Sequence, residues 1–352
     1  MKNSILSKIP TSEAPFLMRQ VEEYRREGLS GYTIVNNTPL TMSAIVKMMP
    51  FLKNGFKLTT STPSFLGRDQ NAIKLIQEMG YEFNANKERM DDVDIILDCC
   101  AEMSENRSAK AIAELTKTGV AIYKNKGDKR SVLSVDDCRV KALETFYGTG
   151  DGFVRAFKEF IAKDISGVKF LIFGFGKVGK GIVRALLDQS AICTVIEADE
   201  TAFRADIGKD IKKVFFSEIA SISSLLKDHD ILITCTGKSN FMSDAPWADE
   251  ILKSKIKLIN MGAEDEFGPK FPKEAVENDK MPLNFKLSHP TLLKYLDPVF
   301  YAHNSIVALY HDNNLTQGVQ PLPKDLDNHL VEEWHSIWGA DMSLFSSLYP
   351  ES

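Results

Sequence analysis

The chain has 352 residues, which is long for one hydrophobic core, so two domains are expected. A hydrophobic content of 43% and a charged content of 26% are those of an ordinary globular protein. The formal net charge is −5 and the basic residues are scattered, which argues against nucleic acid or an anionic membrane as a partner. No run approaches the roughly 18–20 apolar residues of a membrane span, and the N-terminus does not resemble a signal peptide. We therefore expect a cytoplasmic protein.

The cysteines are too few and too irregularly spaced for a disulfide framework or a zinc site. Cys99 and Cys100 adjoin at the end of an apolar strand, where successive side chains face opposite ways, so a disulfide between them is not expected. No His, Cys and Asp cluster has metal-ligand spacing. We predict reduced thiols and no bound metal.

Strands and helices alternate through the first third of the chain. Apolar periodicity predicts helices at residues 14–27, 41–52, 69–79 and 108–116, and strands at residues 32–35, 56–60, 93–99 and 119–123. Such alternation is typical of a parallel sheet covered by helices. This part of the chain is therefore predicted to form an α/β unit of its own.

A second alternating segment follows two predicted helices at residues 134–143 and 152–162. It contains predicted strands at residues 168–173, 193–196, 230–234 and 257–260, with a helix at residues 180–187 after the first of them. Beyond His289-Pro290 the alternation stops, and the remainder, including residues 304–310 and 326–338, is predicted to be helical. The fold class is thus α/β, with two doubly wound domains and a C-terminal helical segment that returns to the first.

A complete GxGxxG motif lies between the strand at residues 168–173 and the helix after it. Gly174 permits a tight turn, Gly176 lets the backbone approach a pyrophosphate, and Gly179 allows close packing of helix on strand. The N-terminus of the helix offers unpaired N–H groups to the phosphates. We therefore predict that a dinucleotide binds at this loop, with Lys177 and Val178 among its contacts. The alternative is a glycine-rich turn that binds nothing.

An acidic residue ends the second strand of this βαβ unit. Glu197 lies about 20 residues beyond the glycine loop, where a carboxylate accepts hydrogen bonds from the adenosine ribose and repels a 2′-phosphate. This placement predicts NAD as the cofactor, in preference to NADP.

The loop resembles that of the S-adenosylhomocysteine hydrolase family, which reads GYGDVGKG where this chain reads GFGKVGKG. Further motifs similar to that family's follow in its order over about residues 30 to 340. They are TKTGV at residues 116–120, Tyr147-Gly148, TCTG at residues 234–237, NMG at residues 260–262, His289-Pro290 and LPKDLD at residues 322–327. The resemblance implies NAD as the cofactor, with Glu197 binding its ribose. It adds cofactor contacts at Thr116, Lys117, Thr118, Thr236, Gly237, Asn260 and Gly262.

Several family catalytic positions are changed in this chain. The family uses bound NAD to oxidise the ribose 3′-hydroxyl of its substrate, which enables elimination of homocysteine. Its catalytic and substrate-binding histidines, glutamates and lysine are replaced by Asn37, Thr41, Leu115, Val140 and Ala263. The resemblance therefore implies a divergent member whose substrate is not adenosylhomocysteine itself.

Four residues are candidates for chemistry. Asp98 ends a strand, where α/β sheets bind ligands, although it also suits a loop-capping role. Lys141 and Glu144 share a helix face, either as a displaced catalytic lysine with its partner or as an exposed ion pair. His289 precedes a proline at the end of the cofactor domain, where it either contacts cofactor or substrate or serves as a hinge.

Three functions agree with these observations. The first is an NAD-dependent enzyme that transiently oxidises a hydroxyl of a nucleoside-like or other small substrate. The second is an NAD-binding pseudoenzyme with a regulatory role. The third is an oxidoreductase like the 2-hydroxyacid dehydrogenases, although residues 262–264 supply no arginine and His289 has no carboxylate beside it.

The domain boundaries follow from the motifs. Residues 1–147 and 290–352 are predicted to form the substrate domain, and residues 148–289 the NAD-binding Rossmann domain. The expected partners are a small-molecule substrate and a second copy of the chain. We expect a homodimer rather than a tetramer, because the family's lysine- and tyrosine-bearing C-terminal tail is missing.

Overall fold

The structure, a computed structural model, describes residues 11–64, 68–87, 90, 92–204, 207, 211–219, 222–340 and 342–351. The chain forms two compact units. The first unit contains Met1–Lys141, Leu293–Met342 and Glu351–Ser352, and the second contains Ala142–Leu292 and Ser343–Pro350. The divisions at residues 141/142 and 292/293 lie close to the predicted boundaries at residues 147/148 and 289/290.

The first unit is built on a seven-stranded sheet whose strands are all parallel. Its strand order is β13-β6-β5-β4-β1-β2-β3. The strands are β1 (Thr33–Asn36), β2 (Lys57–Thr60), β3 (Glu82–Phe83), β4 (Ile95–Asp98), β5 (Ala111–Glu114), β6 (Ser131–Ser134) and β13 (Gly318–Pro321). The helices are α1 (Pro15–Glu23), α2 (Met42–Lys53), α3 (Gln70–Glu78), α4 (Lys117–Lys126), α5 (Arg139–Ala142), α11 (Leu293–Asn304), α12 (Ile306–His311), α13 (Lys324–Trp338) and the start of α14 (Met342–Leu348).

The second unit is built on a six-stranded parallel sheet of order β12-β11-β10-β7-β8-β9. The strands are β7 (Lys169–Phe173), β8 (Ile192–Glu197), β9 (Ile211–Phe215), β10 (Ile231–Thr234), β11 (Lys257–Asn260) and β12 (Val276–Glu277). A π-helical turn (Leu143–Gly148) leads into α6 (Thr149–Phe160), and the remaining helices are α7 (Lys177–Leu187), α8 (Ser223–Asp228), α9 (Phe241–Asp244) and α10 (Ala248–Lys253). Apolar clusters cover both faces of this sheet. Two parallel α/β sheets confirm the predicted fold class.

Two predicted elements of the first unit were wrong in type. The predicted helix at residues 108–116 is strand β5, and the predicted strand at residues 119–123 lies within helix α4. The sequence AIAE favours a helix by propensity, but all four residues of β5 are buried between β4 and β6. Thr116 caps α4 by accepting a hydrogen bond from Gly119 N, and Gly127 ends it at a φ of +59°. Tertiary pairing and capping thus override local propensity.

Strands β3, β6, β9, β12 and β13 were also missed, and two of them matter for the topology of the first sheet. Residues 131–134, predicted as loop and the start of a helix, form β6, and residues 318–321, predicted as part of a helical segment, form β13. These strands pair with each other in register from Gly318↔Ser131 to Pro321↔Ser134. The C-terminal segment therefore returns to the first unit through a strand as well as through helices, and residues 343–350 then join the second unit.

Helices α6 and α7 of the second unit approach each other closely. A Cβ added to Gly150 would lie 2.4 Å from the backbone oxygen of Gly181, and one added to Gly181 would lie 2.1 Å from the backbone oxygen of Phe146. The trailing glycine of the GFGKVGKG loop is therefore required for helix packing. Among the helices in the described residues, none combines the length and apolar character that a membrane crossing needs.

Candidate functional site

The glycine loop of the second unit joins β7 to α7. Gly174 has a φ of +100°, and a Cβ there would lie 2.4 Å from the backbone oxygen of Cys235. A Cβ on Gly179 would lie 2.2 Å from the backbone oxygen of Gly174. Gly176 differs, because its φ of −75° suits any residue and its absent Cβ faces open space. Two glycines are thus needed by the fold, and the third keeps a space clear at the start of α7.

That space lies where a dinucleotide phosphate is expected. Gly176 is the N-cap of α7, and Lys177 and Val178 open its first turn. The N–H groups of a first helical turn have no partners inside the helix, and the helix dipole favours negative charge at this end. The residues present therefore suit a pyrophosphate, as the sequence predicts for Gly176, Lys177 and Val178.

Glu197 ends strand β8 beside this loop. Its carboxylate accepts hydrogen bonds from Phe175 N at 2.7 Å, Ala198 N at 2.7 Å and Asp199 N at 3.0 Å. A carboxylate has about four acceptor positions, so a position remains on the Oε2 atom, which takes only the Phe175 bond. The carboxylate therefore orients the glycine loop and retains the capacity to accept a ribose hydroxyl.

The turn after β10 is held by a carboxylate that the sequence analysis missed. Glu266 is fully buried and accepts hydrogen bonds from Thr236 N, Thr236 Oγ1 and Gly237 N at 2.6–2.9 Å. Burial raises the pKa of Glu266. A Cβ on Gly262 would lie 2.1 Å from Glu266 Oε1, so a side chain in the NMG turn would displace the Glu266 carboxylate from its present position. Glu266 thus joins the two turns predicted to contact the cofactor.

The side-chain amide of Asn260 is hydrogen-bonded to neighbouring protein groups. Its Oδ1 accepts from Thr234 Oγ1 and Gly262 N, both at 3.1 Å. Its Nδ2 donates to the backbone oxygens of Glu264 at 2.9 Å and Lys280 at 2.6 Å. These bonds use the capacity of the amide, so Asn260 shapes the turn after β11. Its predicted contact with the cofactor remains a prediction.

A comparison with protein families identifies this unit. Residues 145–267 match the family model described as S-adenosyl-L-homocysteine hydrolase, NAD binding domain. This part of the chain is therefore similar to the NAD-binding domain of that family. The match covers the glycine loop, Glu197, the TCTG turn and the NMG turn, which confirms the resemblance stated for these motifs and the prediction of NAD as cofactor.

Solved structures resemble the chain only distantly. A dipicolinate synthase from Bacillus halodurans matches at a TM-score of 0.47 and 13% identity, covering 80% of this chain and 98% of that one. A dipicolinate synthase from Bacillus subtilis matches at 0.47 and 11% identity, covering 79% and 97%. A transhydrogenase from Sinorhizobium meliloti matches at 0.41 and 13% identity, covering 81% and 96%.

The acidic surroundings of the ribose position predict a preference for NAD over NADP. Glu197 and Asp199 lie together at the end of β8, so a 2′-phosphate would meet negative charge. We expect NAD to raise the thermal unfolding temperature and NADP to leave it unchanged. Glu197→Gln should weaken NAD binding about 10- to 100-fold, because a charge-assisted hydrogen bond is lost. Equal stabilisation of the wild type by NADP would refute the assignment.

In the first unit, polar groups gather where the parallel strands end. Asp98 ends β4 and is fully buried. It accepts four hydrogen bonds, from Asn37 Nδ2 at 2.9 Å, Cys99 N at 2.8 Å, Met103 N at 3.0 Å and Tyr123 Oη at 2.6 Å. Burial raises the pKa of Asp98, and these bonds oppose the rise. Because all four acceptor positions are used, the geometry favours the loop-capping interpretation. A catalytic role for Asp98 remains a prediction.

Glu114 stands opposite Asp98 at the end of β5, and the sequence analysis missed it. It is fully buried and accepts hydrogen bonds from Cys100 N, Ala101 N and Thr116, through both N and Oγ1. Burial, together with the negative charge of Asp98, raises the pKa of Glu114 to about 7. Thr116 is thus engaged with Glu114 and with the cap of α4. Lys117 and Thr118 are exposed on the first turn of that helix, and their cofactor contacts remain predictions.

The two adjacent cysteines do not face opposite ways. Cys100 has a φ of +61°, and its Sγ lies 3.9 Å from Cys99 Sγ, so that part of the sequence argument was wrong. The strand has already ended at Asp98, and alternation no longer applies. All five cysteines are free thiols. Hydrogen bonding with Cys99 and with the threonines of α4 lowers the pKa of the Cys100 thiol to about 6, although burial opposes this.

Lys141 is buried, with a relative exposure of 6%, which excludes the exposed ion pair considered for it. It lies in the short helix α5. Asp327 of the LPKDLD motif caps this helix, accepting from Arg139 N and Val140 N at 2.8 Å. Glu144 lies beyond α5 in the π-helical turn and is half-buried. Both residues remain predicted members of the site.

His289 is exposed in the second unit, where its backbone oxygen accepts a hydrogen bond from Arg155 Nη1 at 3.0 Å. Its role in chemistry remains a prediction. Within the part of the chain that is described, no group of three or more His, Cys, Asp or Glu side chains is arranged to hold a metal.

Proposed function

We propose that the chain is an NAD-dependent enzyme of the adenosylhomocysteinase type that oxidises a hydroxyl of a small substrate, nucleoside-like or otherwise, other than adenosylhomocysteine. The observation that carries this proposal is an NAD-binding domain joined to a separate α/β unit with buried polar groups at the carboxyl ends of its strands. Open α/β sheets bind ligands at this edge. When bound, NAD accepts the hydride that leaves the hydroxyl-bearing carbon.

The hydroxyl proton needs an acceptor, and Lys141 is the candidate that we assign to it. Asp98 has no acceptor position left, whereas Lys141 is buried near the ends of the central strands. Asp327 fixes the helix that carries Lys141. In this proposal Lys141 accepts the hydroxyl proton at Nζ.

The first experiment identifies the substrate. Small molecules released on denaturing the purified protein are analysed by mass spectrometry. The alcohols found are incubated with protein and NAD, while their conversion is followed by mass spectrometry and enzyme-bound NADH is followed by absorbance. Lys141→Met should lower turnover about 100-fold or more with NAD affinity unchanged. Lys124→Met, which removes an exposed lysine on α4, is the control and should keep full activity.

Adenosylhomocysteine is tested in parallel. We expect no useful release of homocysteine, because Asn37, Thr41, Leu115, Val140 and Ala263 replace groups that act together in the family's reaction. Rapid release would overturn the substrate assignment.

The second candidate function is an NAD-binding pseudoenzyme. The filled hydrogen-bonding capacity of Asp98 and Asn260 favours it, since two predicted site residues have structural roles. Binding of NAD with no co-purified alcohol and no conversion of any alcohol tested would support this candidate against the enzyme.

A further inference from the structure

Lys47 is a fully buried lysine in helix α2 of the first unit. Its Nζ donates a hydrogen bond to Asn36 Oδ1 at 2.6 Å, and no carboxylate pairs with it among the residues that the structure describes. Burial lowers the pKa of Lys47 well below its usual range. Burial without a counter-charge favours the neutral amine, so an anion bound here would restore the ammonium and form a charge-assisted hydrogen bond with it.

Unpartnered polar atoms accompany Lys47 at the carboxyl ends of β1 and β2. Asn36 Nδ2, Asn37 Oδ1 and Ser61 Oγ are buried and have no hydrogen-bond partner within the described part of the chain. Asn36, Asn37 and Ser61 are each fully buried, and Ser61 N donates to the Asn36 backbone oxygen at 2.8 Å. Native proteins leave few such atoms, and a cluster of them at one sheet edge indicates a ligand.

The groups near Lys47 do not neutralise its charge through an ion pair among the described residues. His303 is fully buried, its Nε2 lies 2.9 Å from the Ala113 backbone oxygen, and burial with the charges of Lys47 and Lys141 lowers its pKa, so the ring is neutral. The neighbouring Cys100 thiol and burial raise the pKa of Cys99, which keeps that thiol neutral. Asp98, the nearby acid, accepts its four hydrogen bonds from other donors. The N–H donors of Lys47 and Asn36 are therefore left for another acceptor.

We propose that Lys47 and Asn36 bind the carboxylate of a small organic acid. The ammonium retains two N–H groups beyond its bond to Asn36, and Asn36 Nδ2 has two more, which match the acceptor positions of a carboxylate. The inference rests on the proposed function, and it narrows the substrate to a hydroxy acid.

Ligand-observed NMR with NAD-saturated protein tests binding without requiring turnover. The probes are acids paired with their own primary amides, namely lactate with lactamide, glycerate with glyceramide and mandelate with mandelamide. Inorganic phosphate is a separate probe. Acids should bind at least about tenfold more tightly than their amides, and Lys47→Met should abolish this preference. Lys53→Met, at an exposed position of the same helix, should preserve it.

Thermal unfolding of the ligand-free protein is the second readout. Lys47→Met removes a buried amine, and Asn36 Oδ1 still accepts from Thr38 Oγ1 at 3.0 Å, so the variant should be more stable than the wild type. A lower unfolding temperature would show that Lys47 is a structural residue. Equal binding of acids and amides, no binding of any acid, retention of the preference in Lys47→Met, or binding of phosphate alone would each overturn the proposal. Acid binding without chemical conversion of the acid would refute the proposed function and leave this inference standing.

Discussion

Gly176→Ala should abolish NAD binding and leave the fold intact. The φ of −75° is open to alanine, and the added methyl group enters free space at the start of α7, so the free energy of unfolding should change by less than about 1 kcal/mol. That space is where the pyrophosphate approaches the helix, so NAD affinity should fall about 100-fold or more. Calorimetric titration with NAD and thermal unfolding measure the two effects separately.

Gly174→Ala is the matched variant, and for it we expect a large loss of stability, unlike Gly176→Ala. Its φ of +100° and the approach to Cys235 O at 2.4 Å oppose any side chain, so unfolding should become easier by about 3 kcal/mol or more. If Gly176→Ala binds NAD as tightly as the wild type, this loop is not the phosphate site. If Gly174→Ala is as stable as the wild type, the tight turn described for the loop is incorrect.

Asp98→Ala should destabilise the protein by about 4 kcal/mol or more. The change leaves donors of Asn37, Cys99, Met103 and Tyr123 buried without an acceptor, and each such group costs about 1–3 kcal/mol. The measurement is denaturant-induced unfolding followed by circular dichroism. Unchanged stability would show that Asp98 has no structural role and would favour its role as a catalytic base.

Two further variants provide comparisons for the loss of stability in Asp98→Ala. Tyr123→Phe removes one of the four donors and leaves the carboxylate three partners, so it should cost about 1–2 kcal/mol. Asp92→Ala changes an exposed acid just before β4 and should stay within about 0.5 kcal/mol of the wild type. A cost for Tyr123→Phe as large as that of Asp98→Ala would show that the tyrosine, and not the carboxylate, holds the loop.

The cofactor domain was predictable because its signal is local. The strand, the glycine loop, the helix and the acid of residues 168–197 all lie within one βαβ unit, and each glycine has a steric reason that sequence spacing expresses. Strand β11 likewise has the predicted bounds, Lys257–Asn260. Glu266 was not predicted. It lies about 30 residues beyond Thr236 and Gly237 in the chain, and no periodic sequence pattern indicates that its side chain binds them.

Signals for the missed residues of the first unit were present but ambiguous. Glu114 follows a short apolar run, as Asp98 does, but AIAE also suits a helix. Lys47 is the one charged residue in the apolar run AIVKMMPFL, a pattern that does not say whether the charge is solvated or buried. Periodicity cannot resolve such cases, because strand pairing and burial depend on distant segments.

The sequence by itself determined the α/β class and NAD as the cofactor of the glycine loop, and it predicts a preference for NAD over NADP from Glu197, because these depend on neighbouring residues and on backbone sterics. Only the tertiary structure decided the seven-strand order of the first sheet, in which β13 pairs with β6 across nearly 190 residues of chain. It also decided that Asp98 caps a loop and that Lys47 is buried with no paired carboxylate among the described residues. Those properties depend on which groups are close together in the folded chain. Hydrogen-bond partners and burial, rather than residue type alone, determine the role of a polar side chain.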